Sequence, residues 1–216
     1  MFSIVKNGSK VFSQVFEGSH NKVNDQVHAV NGRSLKGPFD ISLKKIILGM
    51  GCFWGVEKLF WNVPGVHITA VGYSGGVTEN PNYKQVCTGQ TGHNEVVLIY
   101  YDPKILSLVS LLKLFWEGHD PTQGMRQGND IGTQYRSGIY AFTTEDLDLA
   151  QKSKQYYNEM LLKHGFKPTT TEVLKASEFF YAEDYHQQYL AKNLNGYCGL
   201  GGTGVKFNDF TQTDTR

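Results

Sequence analysis

The hydrophobic positions of this chain change period several times, and the changes mark out a mixed set of elements. Residues 44–49 (Lys-Lys-Ile-Ile-Leu-Gly) are a short apolar run of strand type. Val56, Leu59, Phe60 and Val63 then recur at helical spacing until Pro64-Gly65 stops them. Residues 66–73 read as a second strand that leaves into Gly75-Gly76, and residues 80–94 as a turn-rich loop. Residues 95–101 are a β-rich run ended by Asp102-Pro103, and Leu108, Leu111, Leu112 and Phe115 predict a second helix. Residues 118–137 are a long polar stretch with little apolar content, and a loop of that length is usually functional or unstructured. Residues 138–143 form a further strand. Thr143 and Asp146 have capping-box spacing for a helix running towards Lys163, which Gly165 and Pro168 close. Residues 170–175 suit one more strand and residues 184–192 a last short helix. This order predicts an α+β fold, an α/β two-layer sandwich with its helices on one face of a small sheet.

The two ends lack sustained periodicity. Residues 1–43, rich in Asn, Ser, Gly and Lys, are expected to be a loosely structured arm. Residues 44–204 are expected to be one domain that includes a Gly-dense C-terminal segment, and residues 205–216 a flexible tail. A length of 216 residues suits a single core without staples.

Charge changes the picture by exclusion. A net charge of +1, with Lys and Arg scattered, provides no field to steer a polyanion or a membrane surface. No apolar run is long enough to span a bilayer. Neither nucleic acid nor membrane is therefore expected as a partner. Three cysteines, an odd number, do not suit a secreted disulfide framework, and no secretory signal is visible, so a reducing compartment is the default. A cytoplasmic location follows. Lys6, Lys10 and Lys22, with no acid before Glu17, leave a mitochondrial transit segment as the alternative.

The candidate chemistry lies in the turns. Gly51-Cys52-Phe53-Trp54-Gly55 puts a cysteine where a strand ends and a helix begins. The unpaired N–H groups and dipole of that helix start favour an anion, so the Cys52 thiol is expected to have a lowered pKa. Phe53 and Trp54 supply an apolar wall, and the flanking glycines leave room for a substrate. A buried structural cysteine fits the same local pattern equally well. Thr91-Gly92-His93-Asn94-Glu95 sets a carboxylate at the mouth of an apolar strand, where burial would raise its pKa and make it a proton donor. An exposed strand start is the plainer alternative. Tyr83 and Tyr135 carry phenols on loops. Cys198 sits among glycines that could let it swing, although an inconsequential tail cysteine fits too. Cys87 reads as structural. The run 199–204 matches a dinucleotide fingerprint, but no strand precedes it and no helix follows. The histidines show no metal-ligand spacing with the cysteines, and His186 reads as structural.

Five segments in order resemble the A-type peptide methionine sulfoxide reductases, which act on the S epimer of the sulfoxide. They are Gly51-Cys52-Phe53-Trp54-Gly55, Thr91-Gly92-His93-Asn94-Glu95, the loop 128–137, the stretch 181–189 and Asn195-Gly196-Tyr197-Cys198-Gly199. The match runs from about residue 44 to 204, and His28-Ala29-Val30-Asn31-Gly32 looks like the arm of longer members. The resemblance implies a ferredoxin-like plait core with long irregular ends. It implies Cys52 as nucleophile, Phe53 and Trp54 holding the S-methyl group, and Glu95 as proton donor helped by Tyr83 and Tyr135. Asp130 would organise the polar network and Cys198 would be the resolving cysteine.

The chemistry suits these residue types. Protonation by a neutral carboxylic acid lets the S–O bond break, thiolate attack ends as a sulfenic acid, and a second thiol condenses with it to a disulfide. An external dithiol, thioredoxin or dithiothreitol in vitro, then reduces that disulfide. No bound cofactor or metal is implied. Oxidised proteins and small methyl sulfoxides would be the substrates, and the protein a monomer.

The chain departs from the family pattern in three places. No cysteine follows Gly204, which makes Cys52–Cys198 the disulfide presented to the reductant; Ile131 stands where a histidine is frequent, and Asn94 where alanine is common. Two rivals stay open: a thiol peroxidase or disulfide oxidoreductase using the same cysteines, and a non-catalytic module that binds oxidised-methionine peptides.

Overall fold

The computed structural model describes residues 27–208 and 210; the early lysines Lys6, Lys10 and Lys22, and the end of the tail, lie outside them. Four antiparallel strands make the centre of the sheet: β1 (Lys44–Met50), β2 (Val66–Ser74), β3 (Asn94–Tyr101) and β6 (Ser137–Ala141). Helix α1 (Phe53–Phe60) joins β1 to β2, and α3 (Leu108–Gly118) lies between β3 and β6. In the order β6-β1-β3-β2 this is a pair of split β-α-β units, the ferredoxin-like plait that the family resemblance implies. After α4 (Thr144–Lys163) the chain extends both edges. Strand β7 (Glu172–Lys175) lies parallel to β6, and β8 (Phe180–Tyr181) antiparallel to β2.

Both faces of the sheet are covered, which is why residues 96–101 lack a polar–apolar alternation. Ile46, Leu48, Met50, Val97 and Ile99 point into the main core beneath α1, α3 and α4. Their neighbours Ile47, Val96 and Leu98 point to the other side. That side is roofed by irregular chain rather than helix. Leu35 and Phe39 from the N-terminal segment pack there with Ile68, Ala70, Phe179 and Tyr181. The segment is also pinned by a Val27–Ser34 bridge and by buried His28. At the other end, Val205 and Phe207 are buried, and the Phe207 N–H donates to Glu117 of α3. The chain just past residue 204 is thus packed against the domain, not free tail.

Several short elements differ from the pattern-based reading. The turn-rich loop 80–94 contains α2 (Tyr83–Cys87), capped reciprocally by Asn82 and Gln85. The polar loop 118–137 holds a small hairpin, β4 (Arg126–Gln127) with β5 (Asp130–Ile131), and a 3-10 turn at Thr133–Tyr135. Thr143 accepts from the Asp146 N–H, but the Asp146 carboxylate goes to Lys44, so the capping box is half formed. The last helix, α5, covers only Tyr189–Lys192, because residues 184–188 turn instead.

Gly76 fixes how the chain enters β3. A Cβ there would lie 2.5 Å from the Thr91 carbonyl oxygen and closer still to the His93 backbone nitrogen. Backbone cannot yield as a side-chain tip can, and overpacking of this kind costs roughly 1–3 kcal/mol. Gly76→Ala is therefore expected to lower the melting temperature by several degrees, at about 2–4 °C per kcal/mol for a chain of this size. Thermal unfolding followed by circular dichroism checks this.

Candidate active site

Strand β1 ends at Met50, Gly51 turns the chain at a φ of 95°, and Cys52 becomes the N-cap of α1. Left-handed backbone of this kind suits a residue without a Cβ. The Trp54 and Gly55 N–H groups of the first turn lower the Cys52 thiol pKa, although the sulfur makes no capping hydrogen bond. The Phe53 N–H, from the same helix start, donates instead to the Glu95 carboxyl at 3.2 Å. Glu95 reaches it from β3, whose alternation turns Glu95 and Asn94 to opposite faces. Asn94 donates to the Arg136 carbonyl and the Tyr140 hydroxyl, away from the sulfur, and Gly49 leaves it the room. One helix start thus holds both a thiol and a carboxyl.

The helix start does not make Cys52 acidic, contrary to the expectation drawn from its position. Burial, and then the negative charge of Glu95, push the thiol up to about 12 against the pull of the two N–H groups. Burial likewise raises the Glu95 carboxyl to about 8, so at neutral pH it is protonated and uncharged. The two groups form a neutral pair at rest, poised to exchange a single charge.

Around this pair stand the aromatic residues. Phe53 is fully buried; Trp54 is half-buried and stacks on Tyr189 with ring centroids 3.9 Å apart and planes 14° apart. Trp54 Nε1–H donates to His186 Nδ1 at 3.0 Å, which places the imidazole proton on Nε2. That Nε2 has no protein partner among the described residues. Burial lowers His186 to about 4 and keeps it neutral beside Phe53, Trp54 and Tyr83. His186 and Tyr189 were not singled out as site residues from the sequence. The available signal was the stretch 181–189, one of the five family segments, which contains both residues.

Tyr83 and Tyr135 are brought to the same place. The phenols of both are raised by burial, and both feel the charge of Glu95. Glu183 accepts from the Tyr83 N–H at 2.8 Å and from the Tyr73 hydroxyl at 2.9 Å, anchoring the start of α2. Tyr83 donates to the Cys87 sulfur, and Cys87 is exposed at the end of α2 rather than buried as a structural cysteine would be. Asp130 is half-buried on β5 and accepts from Tyr197, the neighbour of Cys198. Ile131 points to solvent. Cys198 is exposed, and its sulfur lies 3.1 Å from where a Cβ on Gly55 would be. The C-terminal segment therefore crosses the bare first turn of α1 a short way along from Cys52. All three cysteines are free thiols. Among the described residues no group of three or more His, Cys, Asp or Glu could hold a metal ion.

A plait that sets a thiol and a protonated carboxyl at one helix start is a setting for oxidoreductase chemistry. Residues 44–214 match the family model described as peptide methionine sulfoxide reductase. A peptide methionine sulfoxide reductase MsrA of Brucella anthropi is 66% identical over 178 residues, covering 82% of each chain. The MsrA of Brucella melitensis biotype 2 is 62% identical over the same length and coverage. Among solved structures, methionine sulfoxide reductase A of Corynebacterium diphtheriae superposes with a TM-score of 0.76 at 46% identity, covering 81% of this chain and 85% of that one. Mxr1 from Saccharomyces cerevisiae in complex with Trx2 superposes at 0.50 and 26% identity, covering 72% and 91%. The chain belongs to the peptide methionine sulfoxide reductase family, in its A type.

Proposed function

We propose that this protein, an oxidoreductase acting on methionine sulfoxide, reduces the S epimer in proteins and as the free amino acid, and so repairs oxidised proteins. The observation that carries the reading is the shared helix start. The Cys52 sulfur at the N-cap and the protonated Glu95 carboxyl on the Phe53 N–H meet at one helix start beside the Phe53 and Trp54 rings. A methyl sulfoxide bound there has its methyl group against the aromatics and its oxygen towards Glu95, Tyr83 and Tyr135. Glu95 donates its proton to the sulfoxide oxygen, and the sulfur becomes electrophilic enough for Cys52 to attack. The carboxylate left on Glu95 takes the Cys52 proton, so the attacking group is a thiolate and the carboxyl is neutral again.

The sulfide leaves, and Cys52 keeps the oxygen as a sulfenic acid. Cys198 attacks that sulfur, releasing water and forming the Cys52–Cys198 disulfide. Asp130 and Tyr197 steady the segment that carries Cys198 and order the polar groups beneath it. A thioredoxin dithiol then restores both thiols and leaves as its own disulfide. The complex of the related yeast Mxr1 with Trx2 supports that choice of reductant.

The test is turnover of separated R and S epimers of a methionine sulfoxide peptide, and of the free amino acid, with dithiothreitol and then with thioredoxin. Turnover of the S epimer alone in both forms is expected. A folded protein that turns over neither epimer but consumes peroxide is a thiol peroxidase instead.

A further inference from the structure

Glu57 lies on α1, three residues past Trp54, and is entirely buried. It touches no cation among the described residues. Its partners are three donors instead. The Gln188 backbone N–H donates to Oε2 at 2.7 Å, and the Gln188 side-chain amide donates to Oε1 at 2.7 Å. The Thr69 hydroxyl also donates to Oε1, at 3.1 Å. His28 completes the set. Its Nδ1 accepts from the Val30 N–H, so Nε2 carries the proton and donates to the Thr69 oxygen at 2.9 Å. A buried carboxyl with this many directed donors is a fixed point, and moving it would strand several polar groups at once.

What it fixes is the backbone at Gln188. That residue has φ 47° and ψ 42°, left-handed backbone that a side chain disfavours. The strain persists because its N–H is tied to Glu57. The residue after it, Tyr189, stacks on Trp54, and His186 two positions before accepts the Trp54 indole N–H. Both walls that frame Trp54 thus hang from one turn, and the turn hangs from Glu57. Resting on the reading that Trp54 receives the S-methyl group, we infer that Glu57 is a positioning residue that sets the shape of the methyl pocket through the left-handed turn at Gln188.

An amide at residue 57 has one acceptor oxygen and would present its NH2 to a donor, so at least one of the three bonds is lost. Glu57→Gln is expected to raise KM for a methyl sulfoxide about tenfold while kcat changes less than about twofold, the pattern of lost binding rather than lost chemistry. The KM ratio between methyl and ethyl sulfoxides should narrow in the same variant. The second arm compares Gln188→Ala with Gln188→Gly. Both remove the same side-chain bonds and differ only in tolerance of the left-handed backbone. The alanine variant should show a KM several-fold above that of the glycine variant. Equal KM values for that pair would overturn the inference even where Glu57→Gln fails to fold, and so would a parallel loss of kcat in a folded Glu57→Gln. Failure of the wild type to turn over methyl sulfoxides would instead remove the functional reading beneath it.

Discussion

Cys52→Ser is expected to abolish steady-state turnover with any reductant, a loss of at least about 10⁴-fold, since a hydroxyl cannot take up and pass on the oxygen as sulfur does. The informative partner is Cys198→Ser. It should still release close to one equivalent of methionine per enzyme in a single turnover, because the attacking sulfur is intact. Turnover supported by thioredoxin should fall to background, as no Cys52–Cys198 disulfide can form, while dithiothreitol retains part of the activity. Cys87 is the remaining cysteine of the chain. It is exposed and bonded to Tyr83, so Cys87→Ser should leave the thioredoxin-supported cycle running. Quenched-flow methionine yield and mass spectrometry of the Cys52 adduct separate these cases. A Cys198→Ser enzyme that cycles normally on thioredoxin would refute the assigned resolving role.

Glu95→Gln should lower kcat by roughly 10²–10⁴-fold, the range for loss of a positioned general acid. The pH profile carries the sharper information. Burial holds the Glu95 carboxyl at about 8, and the protonated form is the donor, so wild-type turnover should fall as pH rises through that value. The variant's residual rate should lack this step. Stability must follow the same group. Between its unfolded pKa near 4.5 and its folded value near 8 the native state binds the proton that the unfolded chain has released. The Glu95 contribution to stability is therefore fully present below about 4.5 and is lost as pH rises to about 8. Glu57, held by burial at about 7, acts in the same direction. Against the wild type, Glu95→Gln should gain in melting temperature from pH 6 to pH 9.

The main elements were legible because their periods are strong. The β1 and β3 runs, the Leu108 to Phe115 spacing of α3 and the long α4 all lie where the hydrophobic pattern puts them. The elements that escaped, α2, β4, β5, β8 and the 3-10 turn, are all two to five residues long, and periodicity needs length. Of these, α2 alone had a local signal, the Asn82 and Gln85 spacing of a reciprocal cap. Cys52, Glu95, Tyr135 and Asp130 lie in the family segments and Tyr83 outside them, and the fold brings all five together around one helix start. The Cys52 thiol shows the limit of local reasoning. Its helix N-terminus is a short-range feature, whereas the burial and the Glu95 charge that outweigh it come from a strand 42 residues away in sequence. The contact of His186 with Trp54 was not legible for a related reason, because no spacing shows that a ring will land there.

The C-terminal segment that carries Cys198 is held at both ends. Leu190 is buried and Tyr189 stacked on one side; Val205 and Phe207 are buried on the other. Between them the chain has no helix or strand past Lys192. A short tether of this kind gives a thiol an effective concentration on the order of millimolar relative to its partner. A sulfenic acid on Cys52 therefore meets Cys198 far more often than it meets a dilute oxidant. Capture as a disulfide is reversible, while a second oxidation to the sulfinic acid ends the enzyme's life. On the proposed cycle, the anchors at Leu190 and Phe207 would thus spare Cys52 from overoxidation without themselves taking part in the chemistry.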